Sequence, residues 1–441
     1  MSRPTVTEAR ELIQTAGRMS KGAALPKAAR TEATVVGRSW MEAVLSTTSR
    51  HSSSLAVPPQ FRAIRRAAWM PRGVAGVPEA TRVAGGLGGA EMVLGSAPAV
   101  RDTLQSALDD TVTGYPPVGL SQQVCQAMRE FYADEFGWQI EPDAVGVASD
   151  VLSVLQAVMS ILPPQAPVVV PTPAYMPFLT MPQDQGHEVV QVVSNYDAQT
   201  GQYQLNLEGI SQVFRSAPAG GLLVLCNPWN PVGKCVSPAE MSGLCAILEQ
   251  YPNVLVFSDE IHSPLVLDGK LQPFANFSDL AASRTVTASA ASKGWNIPGL
   301  HCAQWIIPDE SLRQRLRTPL HVFASGATPW GMLAAISAFR DSREWLGEVK
   351  AQIVENRGTV RHWLTNHGEH FRVFLPEATY LSWWETDGIL GDCPAQTLQD
   401  RGLVVNNGAD LGRGFENSFR LNLATTPEVL HAALGVIEAG I

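Results

Sequence analysis

Charged residues are scarce in this chain, and basic residues are the scarcer kind. Only 17% of the 441 residues are charged, and 32 Lys and Arg against 41 Asp and Glu give a formal net charge of −9. This deficit of positive charge disfavours nucleic acids and anionic membranes as partners. The sequence also has no apolar run long enough to cross a bilayer and no signal-peptide pattern at its start. We therefore expect a cytoplasmic protein with no membrane or nucleic-acid partner.

Cysteine is scarce as well, with six residues in the whole chain and no CxxC pair. The six are scattered through apolar segments, as expected for reduced thiols of a cytosolic enzyme. They are Cys125, Cys226, Cys235, Cys245, Cys302 and Cys393. The pattern predicts neither a structural disulfide nor a metal site.

The organisation of the chain is clear from about residue 98 onwards, where strand-like and helix-like runs alternate. Predicted strands cover 145–148, 168–170, 189–193, 222–225, 254–258, 285–288 and 302–307. Helical spacing lies among them, for example at 152–162 and 238–250. This alternation predicts an α/β fold with a mostly parallel sheet covered on both faces. We predict a large domain over 86–329, a smaller α+β domain over 330–441, and a poorly patterned N-terminal extension over 1–85.

A lysine follows one of these strands and is preceded by small residues, as expected for an amine held in a pocket. Residues 285–300, TVTASAASKGWNIPGL, begin as a buried strand and pass through small residues to Lys293. Desolvation and nearby cations lower the pKa of such a lysine, which makes it a candidate for Schiff-base chemistry. The alternative is an ordinary solvated lysine in a loop.

Polar residues follow two neighbouring predicted strands and occupy one further stretch. NPWNPVG, residues 227–233, follows the run at 222–226, and SDEIH, residues 258–262, follows the run at 254–257. FRLN, residues 419–422, lies near the C-terminus. Ligands of parallel sheets bind at the carboxyl ends of the strands, where Tyr175, Asn230, Asp259 and Lys293 all fall. Taken singly, Asp259 could equally cap a helix and the arginine of FRLN could be a surface residue.

Together these stretches resemble the aminotransferase class I/II family of fold-type-I enzymes that depend on pyridoxal phosphate. The SDEIH motif and the S-K-x-x-N-I-x-G-L pattern around Lys293 resemble its cystathionine β-lyase, or C–S lyase, branch. The resemblance covers the chain from about residue 97 to the C-terminus. It implies pyridoxal 5′-phosphate as the cofactor and a small amino acid as the substrate.

The resemblance assigns residues to the ring of this cofactor. Lys293 is the catalytic lysine that holds its aldehyde, and Asp259 keeps the pyridine nitrogen protonated. Asn230, from the NPxNP motif, donates to the ring hydroxyl O3′. His262 occupies the place where a tyrosine commonly bonds the same oxygen, with a turn-supporting histidine as the alternative. Tyr175 stacks on the ring, or is a core tyrosine.

The resemblance also assigns the phosphate and the substrate carboxylate. The phosphate is expected at the amides of Val151 and Leu152, at the start of a helix. Ser292 and Tyr115 are further donors, and Tyr115 comes from the other subunit, which implies a homodimer with shared sites. Arg420 of FRLN binds the α-carboxylate of the substrate through its planar fork.

The chain departs from the family pattern at three positions near the phosphate. Asp150 replaces a small or neutral residue, and we interpret it as a helix N-cap that turns away with its amide still available. Ala290 replaces a hydroxyl residue, and His301 replaces an arginine common in aminotransferases. The lyase branch tolerates the change at His301.

The resemblance implies a C–S β-lyase that converts cystathionine or a related cysteine S-conjugate to pyruvate, ammonia and a thiol. An aminotransferase is the nearest alternative, because the two reactions share every step up to loss of the Cα proton. A regulatory protein that retains the fold is an alternative of another class. No motif excludes the two alternatives, but SDEIH, the absent arginine at position 301 and the NIPGL run at 296–300 jointly resemble the lyase branch, so we predict the lyase.

Overall fold

The computed structural model describes residues 87–110, 112–197 and 201–441. The predicted extension over residues 1–85 lies outside these residues. The main element of the described part is a seven-stranded sheet in the order β1-β9-β8-β7-β6-β2-β3. Its strands are β1 Val145–Ala148, β2 Val168–Thr172, β3 Val189–Val193, β6 Gly221–Cys226, β7 Val254–Asp259, β8 Thr285–Ser289 and β9 Ala303–Ile306.

The sheet is mostly parallel, as the sequence predicts. Strands β3, β2, β6, β7 and β8 pair in parallel. Strand β9 runs antiparallel to both β8 and β1. Strands β6 and β7 are continuous apolar runs because both of their faces are covered.

Helices cover the sheet and continue beyond it. They are α1 Pro98–Asp109, α2 Leu120–Phe136, α3 Val151–Met159, α4 Pro177–Asp184, α5 Leu207–Arg215, α6 Pro238–Gln250, α7 Asp279–Arg284, α8 Glu310–Phe323, α9 Pro329–Asp341, α10 Arg343–His367, α11 Pro394–Asp400 and α12 Pro427–Glu438. Within the described ranges, no helix combines the length and the apolar character needed to span a bilayer.

The core consists of two apolar clusters that share the strands of the sheet. Leu222 and Val224 belong to the cluster that includes α3 and α8. Leu223 and Leu225, which alternate with them, belong to the cluster that includes α5 and α6. Successive side chains of a strand point to opposite faces, so the two clusters lie on opposite faces of the sheet.

A second sheet of four antiparallel strands follows, in the order β10-β11-β13-β12. Its strands are β10 Phe371–Phe374, β11 Leu381–Thr386, β12 Asn406–Asn407 and β13 Ser418–Asn422. Just before β12, the carbonyl of Val404 accepts a hydrogen bond from the amide of Leu87, so this part of the chain pairs with the described segment that starts at residue 87.

Several short elements escape the sequence patterns. They are the helices α4, α5, α7 and α11 and a two-stranded hairpin, β4 Asn195–Asp197 with β5 Gln202–Gln204. None exceeds nine residues, and a short run offers few positions at which to detect a period. None of them ends at the predicted site residues.

Candidate active site

The carboxyl edge of the large sheet carries several of the predicted site residues. Asp259 is the last residue of β7. Tyr175, Asn230 and Lys293 follow β2, β6 and β8. Arg420 comes from β13 of the second sheet and bonds Asn230, which brings the two sheets together at this point.

Lys293 lies in a tight turn directly after β8 and its adjoining small residues. The amides of Trp295 and Ile297 donate to the carbonyls of Ala291 and Ser292, which closes the turn around the lysine. The Nζ amine donates to the carbonyl of Ala90 at 2.8 Å. It is not a solvated loop lysine.

Burial lowers the pKa of the Lys293 amine below its ordinary value, and the positive charge of Arg420 lowers it further. The negative charges of Asp259 and Glu91 partly oppose this shift. A lowered pKa makes the amine easier to deprotonate, which a nucleophile or a base requires.

Asp259 is 5% exposed and receives one backbone hydrogen bond, from the amide of Ile261 to Oδ1 at 3.0 Å. Burial raises the pKa of its carboxyl to about 6, against the lowering effects of this bond and of Lys293. A nearby cation would therefore stabilise the carboxylate form.

Glu260, the next residue, faces a different environment. Its Oε1 accepts from Ser258 Oγ at 3.0 Å and from the amide of Phe274 at 3.2 Å. Burial raises the pKa of Glu260 to about 8. Lys293 acts on the pKa of Asp259, whereas the charge that acts on Glu260 is Asp259 itself. Asp259 is the carboxylate of the pair that faces the lysine.

His262 is 2% exposed, with its ring edge-on to Tyr380 at 5.9 Å between centroids. Burial and the positive charges of Lys293 and Arg420 hold the pKa of the imidazole well below its ordinary value, so the ring is neutral. Among the described residues, His262 Nδ1 is buried and has no hydrogen-bond partner. Such a nitrogen is costly unless something else bonds it.

Arg420 is 4% exposed, and most of its guanidinium donors are in use. Nη1 donates to Asn230 Oδ1 at 2.9 Å, and Nη2 donates to the Gly88 carbonyl at 2.7 Å and to Asn406 Oδ1 at 2.6 Å. Within the described part of the chain, Nε is buried without an acceptor. These acceptors are neutral, so the guanidinium remains an uncompensated cation among them.

The turns that carry Tyr175 and Asn230 are tied together by Trp229. Its indole Nε1 donates to the carbonyl of Pro173 at 2.9 Å, and its side chain is 2% exposed. Burial raises the pKa of the Tyr175 hydroxyl. The negative charge of Asp259 raises this pKa further, and the positive charge of Arg420 partly opposes the shift. Trp229 therefore packs as a core residue that fixes both turns.

The predicted phosphate site lies at the N-terminus of α3, after β1. Asp150 is its N-cap, as predicted, and Oδ1 accepts from the Ser153 amide at 2.8 Å. The prediction that the Asp150 amide stays available is wrong, because it donates to Ser153 Oγ at 3.4 Å in a capping box. The amides of Val151 and Leu152, at the first two helical positions, take no part in the box.

Two predicted phosphate donors have different positions. Ser292 precedes Lys293 in the same turn and is partly buried. Tyr115 lies in the segment before α2 and is 99% exposed, so its side chain is not buried against its own chain. A role for Tyr115 requires a second copy of the chain and stays a prediction.

These side chains fit pyridoxal phosphate. The site combines a lysine of lowered pKa, a buried carboxylate facing it, and free helix amides for an anion. Within the described residues, His262 Nδ1 and Arg420 Nε are buried polar atoms that lack partners. A ring hydroxyl and a substrate carboxylate are groups that such atoms could bond.

The sequence did not predict that backbone carbonyls of residues 87–95 accept hydrogen bonds from Lys293 and Arg420. We call this segment the strap. Asn296 and Asn422 bond its backbone, and Tyr380 donates to the carbonyl of Ala90. Both asparagines stand in the quoted motifs, three residues after Lys293 and two after Arg420, but their function depends on a segment about 200 or more residues away.

Comparisons with known proteins identify the family of this chain. The family model described as "Aminotransferase class I and II" matches residues 87–437. The cystathionine β-lyase of Corynebacterium glutamicum is 31% identical over 350 residues, which cover 78% of this chain and 90% of that protein. Cystathionine β-lyase PatB of Bacillus subtilis is 29% identical over 80% of this chain and 91% of its own length.

A solved structure from Corynebacterium diphtheriae, assigned as a PLP-dependent β-cystathionase, superposes with a TM-score of 0.73 at 32% identity. The match covers 80% of this chain and 92% of that one. The resemblance seen in the motifs, including the cystathionine β-lyase branch, is therefore confirmed. This chain belongs to the aminotransferase class I and II family, with the fold-type-I architecture of its pyridoxal-phosphate enzymes.

Proposed function

We propose that this pyridoxal-phosphate-dependent C–S lyase cleaves cystathionine or a related cysteine S-conjugate to pyruvate, ammonia and a thiol. The observation that carries the proposal is the grouping of the partly buried Lys293 with the buried Asp259 and Arg420, whose charges both act on the lysine amine. The relatives named cystathionine β-lyase support the choice of substrate.

Lys293 is the proposed catalytic residue, acting first as a covalent anchor and then as a base. Its amine would hold the aldehyde of bound pyridoxal phosphate and would be released when the amino group of the substrate takes its place. The freed amine then removes the proton from the substrate Cα. Its lowered pKa favours the neutral, proton-accepting form at a given pH.

Asp259 is the proposed partner of the cofactor ring nitrogen. Pyridoxal phosphate provides an electron sink for the electrons left at Cα, provided that this nitrogen is protonated. A carboxylate at the end of β7 stabilises that proton through a charge-assisted hydrogen bond. Asn230 and His262 are the proposed neighbours of the ring hydroxyl, and Tyr175 of the ring face.

Arg420 is the proposed site for the substrate α-carboxylate. Its guanidinium is buried and bonded to neutral acceptors, so a carboxylate would gain both charge and hydrogen bonds. A bidentate contact needs two adjacent N–H groups, and both Nη2 hydrogen atoms are already used. Binding therefore requires the Gly88 carbonyl or Asn406 to give up its bond.

A homodimer with shared sites is the proposed assembly. Val151, Leu152 and Ser292 hold the phosphate from one chain, and Tyr115 of a second copy completes the set. The full exposure of Tyr115 and of nearby Val118 supports this, because large apolar side chains at the tip of a turn favour burial against a partner. We further propose the domain division at residues 329 and 330 and a cytoplasmic location.

The test supplies purified enzyme with cystathionine and no keto acid. A lyase releases pyruvate and thiol continuously, because the β-substituent leaves without a second substrate. An aminotransferase instead forms glutamate from alanine and 2-oxoglutarate. Glutamate formation with no thiol release would refute the lyase, and turnover by neither route would favour a regulatory protein. Lys293→Ala is the control, and it should form neither pyruvate and thiol nor glutamate.

A further inference from the structure

The strap, residues 87–95, lies across the site and is fastened next to Arg420. Asn422, two residues along β13 from Arg420, donates to the carbonyls of Gly89 and Glu91 at 2.7 and 2.6 Å. These two carbonyls flank Ala90. One amide group of the second sheet thus holds the strap on both sides of Ala90.

A second asparagine fastens the strap next to Lys293. Asn296 donates to the carbonyls of Met92 and Gly95 at 2.9 and 3.0 Å, and accepts from the Met92 amide at 3.0 Å. It adopts a φ of 57°, in the left-handed region that asparagine tolerates better than most residues. The strap is therefore fixed both from the lysine turn and from the arginine strand.

Between the residues bonded by Asn422 and Asn296, the carbonyl oxygen of Ala90 accepts hydrogen bonds from two side chains. Lys293 Nζ and the hydroxyl of Tyr380 each donate to it at 2.8 Å. Tyr380 is 1% exposed, so its hydroxyl has no alternative partner in bulk water. A carbonyl oxygen has two lone pairs, and the two donors use both.

The groups that face the Lys293 amine come from several elements. Asp259 lies on β7, Arg420 on β13 and Glu91 on the strap, and all three charges act on its pKa. His262 also faces it, because the lysine charge acts on the histidine. The amine donates directly to the Ala90 oxygen, which is its hydrogen-bond acceptor among the described residues.

We propose that the Ala90 carbonyl oxygen receives the Lys293 amine whenever the amine is not bonded to the cofactor, and that Tyr380 is the positioning residue that keeps this oxygen in place. The inference rests on the proposed role of Lys293. A lysine that leaves the aldehyde must remain oriented to collect the Cα proton. The oxygen accepts one of its hydrogen bonds and restricts the direction of the amine.

The test compares the wild-type holoenzyme with Tyr380→Phe, using saturating alanine, which has no leaving group. Exchange of the Cα proton in D2O is followed by NMR. Exchange precedes the step at which lyase and aminotransferase diverge, so the result does not depend on the substrate assignment. We expect the exchange rate to fall about five- to tenfold, as for one lost neutral hydrogen bond, with half-saturation by alanine changed less than about twofold.

A second measurement does not depend on turnover. An amine-reactive reagent labels the freed Lys293 in the alanine-saturated holoenzyme, and mass spectrometry follows its labelling against pH. Without the Tyr380 hydroxyl the carbonyl is less well placed, the charged amine loses an acceptor, and the midpoint should move to lower pH. Tyr203→Phe is the matched control, because this buried tyrosine donates to Glu385 away from the site.

Wild-type exchange rates and an unmoved labelling midpoint in Tyr380→Phe would overturn the proposal. An equal loss in Tyr203→Phe would do so as well, because it would show a general effect of losing a buried hydroxyl. If Tyr380→Phe does not fold, Asn422→Ser gives the same test, since it releases the carbonyls on both sides of Ala90. It should lower the exchange rate and the midpoint in the same direction.

Discussion

Substitution of Asp259 by Asn isolates the proposed charge on the ring nitrogen of the cofactor. The amide has nearly the shape of the carboxyl, and its oxygen can still accept from the Ile261 amide, which now lies 3.0 Å from Oδ1. The fold should therefore survive. The substitution removes the negative charge that is proposed to pair with the protonated ring nitrogen.

The expected size of the effect follows from that single change. A hydrogen bond to a charged group contributes about 1.5–3 kcal/mol, roughly twice a neutral one. At about 1.4 kcal/mol for each factor of ten, kcat should fall about 10- to 150-fold if the bond acts in the rate-limiting step. The loss of the carboxyl does not destabilise the cofactor-free fold, because burial already raises its pKa to about 6.

Steady-state release of pyruvate from cystathionine measures kcat, and circular dichroism verifies the fold. Glu260→Gln is the control, because Glu260 is adjacent and buried but faces Ser258 and Phe274. It should keep kcat within about threefold. An unchanged kcat in Asp259→Asn together with an inactive Glu260→Gln would show that the wrong carboxylate has been assigned.

Two further predictions concern the lysine and the buried acid beside Asp259. Lys293→Ala should fold but lose about three or more orders of magnitude in turnover, since one amine serves as anchor and base; near-normal pyruvate release would refute the assignment. The pKa of Glu260 is raised from 4.5 to about 8 by burial, so the unfolded chain loses that proton at lower pH than the folded one. Wild-type stability should therefore decline between these pH values, and Glu260→Gln should reduce the decline by up to about 4 kcal/mol, measured as the free energy of unfolding at pH 5 and 8. Parallel pH profiles of the two proteins would contradict this.

Elements with strong local signals could be predicted from the sequence alone. The strand Val189–Val193 and the helix Pro238–Gln250 have the predicted boundaries. Ser237 is the N-cap of this helix and forms a capping box with Glu240, and a proline occupies the first helical position. Such signals depend on neighbours in the chain, so no tertiary information is needed to detect them.

The sequence also predicted that an active site lies at the carboxyl edge of the sheet. Parallel strands end at the same edge, so Asp259 and Lys293 come together once their strands are recognised. Their electrostatic coupling agrees with that expectation. The resemblance to the family added the identity of the cofactor and the order of the motifs.

The surroundings of the Lys293 amine depend on tertiary packing and could not be predicted from the sequence. Its acceptor is a backbone carbonyl 203 residues away, and backbone carbonyls leave no trace in a side-chain pattern. The same holds for Arg420, whose partners include the Gly88 carbonyl 332 residues away. Asn296 and Asn422 were visible in the motifs, but their hydrogen bonds form only when the two sheets and the strap pack together, because a polar side chain acquires a specific partner through folding and not through its position in the chain.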